Sequence, residues 1–126
     1  MKRYLLDTYL IYWWMTADAR LGKATQRLIA KSEIVVSTAS IWEMVLKNAE
    51  GKLPLPQGSI VEQLEAQGFV LLPILPRHIE AVRSLTCTHT DPFDRLLIAQ
   101  AYDERLTLLT RDAEMLELGL DGVVEG

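Results

Sequence analysis

The strongest constraint on this chain is a repeated change in hydrophobic period. Short continuous apolar runs, Tyr4-Leu5-Leu6 and Leu106-Thr107-Leu108-Leu109 among them, alternate with longer stretches whose apolar residues recur at helical spacing. Apolar runs of this length read as strands buried on both faces. Such strands belong to parallel sheets covered by helices on either side. The alternation therefore predicts an α/β fold of three layers, α/β/α, around a central, mainly parallel sheet of four to five strands. Crossovers in such a sheet are right-handed. Ligands bind beyond the carboxyl ends of its strands, where strand order reverses.

Local signals place the elements. Strands are expected at 3–7, 33–36, 69–72 and 106–109, with a weak last strand at 122–124. Thr8 reads as the N-cap of a helix over 9–16, and a second helix is expected over 20–31. Ser37 reads as the N-cap of a helix over 38–49, which Gly51 and Leu53-Pro54-Leu55-Pro56 end. Shorter helices are expected over 58–67 and 77–85, the latter with Ile79, Val82 and Leu85 inward. Thr86-Cys87-Thr88-His89-Thr90 reads as a polar loop. Asp91-Pro92 opens a helix running to about Arg105, with proline at its first position.

Composition narrows the function classes. At 126 residues the chain is sized for one domain, 1–126. The apolar stretch Tyr9 to Met15 is too short to span a bilayer, so no membrane role is expected. No secretory signal stands out after Met1-Lys2-Arg3. The lone Cys87 excludes an intrachain disulfide and a multi-cysteine zinc site, and fits a reducing, cytoplasmic home. A net charge of −4 argues against non-specific nucleic-acid coating. It is compatible with an enzyme that meets nucleic acid through a few cations and bound metal.

Four carboxylates lie where such a fold builds sites. Asp7 and Asp112 each follow a strand. Glu43 and Asp94 sit inside apolar helical patterns, where a core-facing acid is costly unless compensated. A divalent cation would compensate all four. Each also has a plainer reading: Asp7 as turn chemistry, Glu43 as an exposed helix acid, Asp94 as a complement to the helix dipole, Asp112 as a loop cap. Asp91 reads as an N-cap. Thr110 could orient a neighbouring carboxylate, and Arg95 could pair with an acid or with phosphate. His89 and His78 read as surface, capping or structural residues. Trp13, Trp14 and Trp42 read as core or interface. Phosphate-loop, dinucleotide and nucleophile-elbow motifs do not occur.

Taken in order, Tyr4-Leu5-Leu6-Asp7-Thr8, Ser37 to Glu43 with Lys47 and Gly51-Lys52-Leu53, His89 to Ala101, and Leu109-Thr110-Arg111-Asp112 resemble the motifs of PIN-domain ribonucleases. The likeness is to the VapC toxins of type II toxin–antitoxin pairs, and it covers nearly the whole chain. It departs at Tyr9, where many relatives carry His, and at Cys87-Thr88. The resemblance implies a PIN-like fold and an Mg²⁺- or Mn²⁺-dependent endoribonuclease that inhibits translation by cutting RNA such as tRNA. It implies Asp7, Glu43, Asp94 and Asp112 as catalytic metal ligands, Thr110 and Asp91 in support, and Lys47 and Arg95 as candidate RNA contacts. It also implies a VapB-like antitoxin, seated in an apolar groove beside the first helices. A homodimer is expected, using apolar surface around Ile11, Trp13, Trp14 and Met15. An RNA-processing nuclease, a silent RNA- or protein-binding module of the same fold and another Mg²⁺ enzyme such as a phosphatase remain the alternatives.

Overall fold

The computed structural model describes residues 2–85, 89 and 91–126. Five strands, β1 (Arg3–Leu6), β2 (Glu33–Ser37), β3 (Val70–Leu72), β4 (Thr107–Thr110) and β5 (Val123–Glu125), form one sheet in the order β3-β2-β1-β4-β5. Every neighbouring pair is parallel. The helices are α1 (Thr8–Met15), α2 (Lys23–Lys31), α3 (Thr38–Ala49), α4 (Ile60–Ala66), α5 (Pro76–Val82), α6 (Pro92–Glu104) and α7 (Ala113–Glu117). None of these helices is long and apolar enough to cross a membrane.

The period of two along each strand divides the core. Tyr4, Leu6, Ile34, Val36 and Leu109 face one layer, with Leu10 and Ile11 of α1, Ile29 of α2, Met44 of α3 and Leu64 of α4. Leu5, Val35 and Leu108 face the other, with Leu97, Ile98 and Ala101 of α6 and Met115 of α7. Each fully buried aliphatic side chain contributes roughly 1.5–3 kcal/mol of hydrophobic free energy. Strands sandwiched in this way explain why the apolar runs are continuous rather than alternating.

Topology positions the site. The chain lays down β1, β2 and β3 outward in one direction, then returns to place β4 on the opposite side of β1. Strand order therefore reverses between β1 and β4, and the crevice beyond their carboxyl ends is the binding position of such sheets. The register pairs Leu6 with Leu109. One residue further, Asp7 N–H donates to Leu109 O at 2.9 Å, which brings Asp7 alongside Thr110.

Four local expectations need correction. The helix expected over 20–31 is interrupted at Gly22, whose φ of +79° is costly for a residue with a Cβ; a 3-10 turn, Ala19–Leu21, precedes it. Asp7, not Thr8, caps α1. The helix expected over 77–85 ends at Val82, and Ile79 is 58% exposed rather than inward. His78 takes the inward position instead: its Nδ1 accepts from Leu75 N–H at 3.0 Å and its Nε2 lies 2.8 Å from Glu104. The polar loop expected over 86–90, with Cys87-Thr88, lies outside the described residues except for His89.

Candidate active site

The site begins with a capping interaction. Asp7 is the last extended residue after β1, and its Oδ1 accepts from Thr8 N–H at 2.7 Å. Its Oδ2 accepts from the Thr110 hydroxyl at 2.8 Å. Thr8, released from capping, donates its hydroxyl to Glu43 Oε1 at 2.7 Å. The Ser37 cap starts α3 at the end of β2, and Glu43 follows on the buried face of that helix with Ala39, Ser40 and Met44. Lys47, one turn on, places its ammonium 3.0 Å from Glu43 Oε2. The same ammonium donates to Tyr9 Oη at 2.9 Å.

The other acids come from the opposite side of the crevice. Asp91 caps α6 by accepting from Asp94 N–H at 3.0 Å, with Pro92 at the first helical position. Asp94, in that first turn, lies 2.7 Å from His89 Nε2. The Thr110 hydroxyl, while donating to Asp7, accepts from Asp112 N–H at 3.0 Å. Asp112 caps α7 and lies 3.8 Å from His89 Nε2. Residues from four separate segments thus line one open cleft of about 350 Å³, which contains Asp7, Glu43, Lys47, Asp91, Asp94 and Asp112.

The electrostatics follow from burial. Desolvation pushes the Asp7 carboxyl up to about 6, with Glu43 and Asp112 adding repulsion; the bonds from Thr110 and Thr8 pull the other way. Desolvation likewise pushes Asp94 up to about 7, aided by repulsion from Asp7 and Asp91 and opposed by His89. Burial lowers the His89 imidazole, but the bond to Asp94 and the nearby Asp112 and Glu114 outweigh it, so its pKa is raised. Burial also opposes the Lys47 ammonium, which Tyr9 and Glu43 raise overall. Buried carboxyls that resist ionisation together are what a divalent cation relieves. An oxygen-rich donor set of this kind suits Mg²⁺ or Mn²⁺, and the cleft acids Asp7, Glu43, Asp94 and Asp112 are the ones that could hold it.

Other side chains shape the surroundings of the cleft. The Arg95 guanidinium donates to the carbonyls of His89 and Val82, at 3.0 and 3.4 Å, so it braces the approach to α6. Trp42 is 56% exposed, with its ring edge-on to Phe93 at 5.3 Å between centroids. His89, read from sequence as a surface or capping residue, is buried among the acids. Its position five residues before Asp94, across the Asp91 cap, was the available signal. Tyr9, Trp13 and Arg111 also line the cleft and carried no sequence assignment there. Arg111 donates to backbone carbonyls of Gly126, Arg20 and Leu21, tying the residue after β5 to the 3-10 turn.

A parallel sheet in this order, with acids gathered where strand order reverses, defines an α/β protein with an acidic crevice. The chain belongs to the PIN domain family, whose model matches residues 4–119. It is 29% identical over 119 residues to ribonuclease VapC22 of Mycobacterium tuberculosis, covering 91% of both chains. Its fold is similar to a chain of VapBC2 from Rickettsia felis bound to a promoter DNA fragment. There the TM-score is 0.65 at 13% identity, over 98% of this chain and 97% of that one. A chain of a toxin–antitoxin complex from Klebsiella pneumoniae matches with a TM-score of 0.63 at 24% identity, over 96% and 95%.

Proposed function

We propose that this chain is a divalent-metal-dependent endoribonuclease, the toxin of a toxin–antitoxin pair, which inhibits translation by cutting RNA in the cytoplasm, with tRNA as the substrate class. The observation that carries this reading is the meeting of Asp7, Glu43, Asp94 and Asp112, from four segments, in one cleft. Membership of the PIN family and likeness to a chain named a ribonuclease favour a nuclease over another phosphate enzyme.

One or two Mg²⁺ or Mn²⁺ ions held by these acids would supply Lewis-acid activation of water and neutralise charge on a phosphodiester. The protein's own residues do the rest. Thr110 fixes Asp7 and the Asp112 backbone relative to one another. Thr8 fixes Glu43. Lys47 is the cation placed to meet a backbone phosphate once it exchanges Glu43 for the substrate. The open cleft suits single-stranded or loop RNA, whose bases and backbone are accessible.

Two surfaces support the proposed partners. A groove of about 520 Å³ runs between α1, the 3-10 turn and α4, lined by Trp13, Trp14, Met15, Leu21 and Ala66. Gln26, Gln63 and Gln67 also line it, so it offers an apolar floor with polar edges to an amphipathic antitoxin helix. The similar structures are of promoter-bound VapBC2 and of a toxin–antitoxin complex, which supports a VapB-like partner. For the homodimer, Ile11 is fully buried and cannot contribute. The outer face of α3, with Trp42, Val45 and Leu46 exposed at helical spacing, is the better seam.

The test is expression of the chain without its partner. Translation should stop, cut RNA should accumulate, and purified protein should cut RNA with Mg²⁺ or Mn²⁺ but not after chelation. Full RNA cleavage in thoroughly chelated protein would overturn the mechanism.

A further inference from the structure

The cleft holds one chemically odd member. Among its acids sits a buried imidazole: His89 Nε2 lies 2.7 Å from Asp94 Oδ2 and 3.8 Å from Asp112 Oδ2, both of them partly exposed carboxylates. One donor atom from each of these three residues falls within 4.8 Å of the others, a spacing that one ion can bridge. The side chain of His89 is only 4% exposed, so its ring is held rather than free. Its carbonyl accepts from Arg95 at 3.0 Å, which anchors the backbone that carries it.

The second ring nitrogen supplies an independent sign. His89 Nδ1 lies 3.3 Å from Glu114 Oε2. A histidine that binds metal through one nitrogen characteristically directs the other at a carboxylate, which sets its tautomer and orientation. Here the outward nitrogen lies near the exposed carboxylate of Glu114, from the first turn of α7, and the inward nitrogen faces Asp94 and Asp112. The second histidine cluster lacks this arrangement. His78 faces Asp103 and Glu104, but Arg77 already pairs with both acids at 2.6 Å, and Nδ1 accepts from the backbone.

We propose that His89 Nε2 is a direct metal ligand alongside Asp94 and Asp112, so that this cleft is a mixed nitrogen–oxygen site that prefers Mn²⁺ to Mg²⁺. The inference rests on the metal-dependent reading above and adds a ligand to it. Mg²⁺ takes oxygen donors and keeps its waters; Mn²⁺ shares the preference for carboxylates but, as a first-row transition ion, also accepts an imidazole nitrogen. Ligation uses the Nε2 lone pair, so a proton on that nitrogen passes to solvent as the ion enters.

Electron spin resonance of Mn²⁺ added to tag-free protein tests this without reference to activity. Pulsed spectra of the wild type should show coupling to an imidazole nitrogen. His89→Asn should bind Mn²⁺ with that coupling gone, and its Mn²⁺-over-Mg²⁺ preference in competition titrations should fall about tenfold or more. Glu114→Gln should keep the coupling and lose part of the preference. If Mn²⁺ binds the wild type without nitrogen coupling, or if the coupling survives in His89→Asn, the proposal is wrong. If His89→Asn does not fold, the wild-type spectrum alone decides. Absence of Mn²⁺ binding to the wild type would overturn both this ligand and the metal site itself, which separates the two failures.

Discussion

The Thr110 hydroxyl donates to Asp7 Oδ2 at 2.8 Å across 103 residues of sequence, and it accepts from the Asp112 backbone at 3.0 Å. One side chain on β4 therefore sets the spacing of two candidate metal ligands. Thr110→Val keeps the shape but leaves a buried carboxylate oxygen and a backbone N–H without this partner. Stability in urea should fall by about 1–3 kcal/mol. Thr110→Ser should recover most of it. Equal stability of the valine variant would remove this bond from the account of the site.

The metal-free protein should be more stable in mild acid than in mild base. The folded-state pKa of Asp7 is raised to about 6 and that of Asp94 to about 7, both above the unfolded value of 3.8. Between those limits the folded state binds protons that the unfolded state does not. Their stabilising contribution is complete below about 4 and is lost as pH rises through 6 to 7. With chelator present, the melting temperature should fall from pH 5.5 to pH 8, and saturating Mn²⁺ should flatten that slope. A melting temperature that climbs over this interval without metal would contradict the electrostatics.

How far the sequence disclosed this site depends on which physical signal each residue carries. Asp7 and Asp112 were legible because each follows a doubly buried strand, and strand ends in a parallel sheet share one edge. The Asp91 cap and the Pro92 start were legible because capping is local. Glu43 and Trp42 were harder: spacing shows that they take different directions on α3, but not which faces the core. Tertiary packing decides that, and it turns Glu43 inward and Trp42 outward. Ile79 was misassigned for the same reason, because buried bonds of His78 set the rotation of α5. Gly22 was read as part of a helix because one glycine inside a helical pattern is tolerated; its positive φ made it a break. His89 was read as a surface or capping residue because its burial comes from elements adjacent in space rather than in sequence.

The exposed face of α3 should govern self-association. Trp42→Lys and Val45→Lys alter residues that are 56% and 46% exposed, so neither should disturb the fold. Sedimentation at micromolar concentration should show the wild type as a dimer and Trp42→Lys as a monomer. A wild-type monomer throughout that range would dismiss the dimer. A dimer unaffected by either change would move its seam elsewhere.

The groove between α1 and α4 should govern neutralisation. Ala66 lies on its wall and is exposed. Ala66→Arg should therefore block an antitoxin helix while leaving RNA cleavage by the isolated protein intact. The readout is titration with the partner truncated to its helix. Undiminished inhibition of Ala66→Arg would place the partner on another surface.

The central claim is that converging carboxylates make a metal-dependent ribonuclease, and Asp94→Asn tests it most directly. The substitution preserves shape in the first turn of α6, so circular dichroism should match the wild type. Cleavage of RNA by wild type and variant is then compared at equal folded concentration with saturating Mg²⁺ or Mn²⁺. The variant should lose cleavage by about 10³-fold or more, in keeping with loss of a group that acts on the transition state. Wild-type turnover by folded Asp94→Asn would contradict the account.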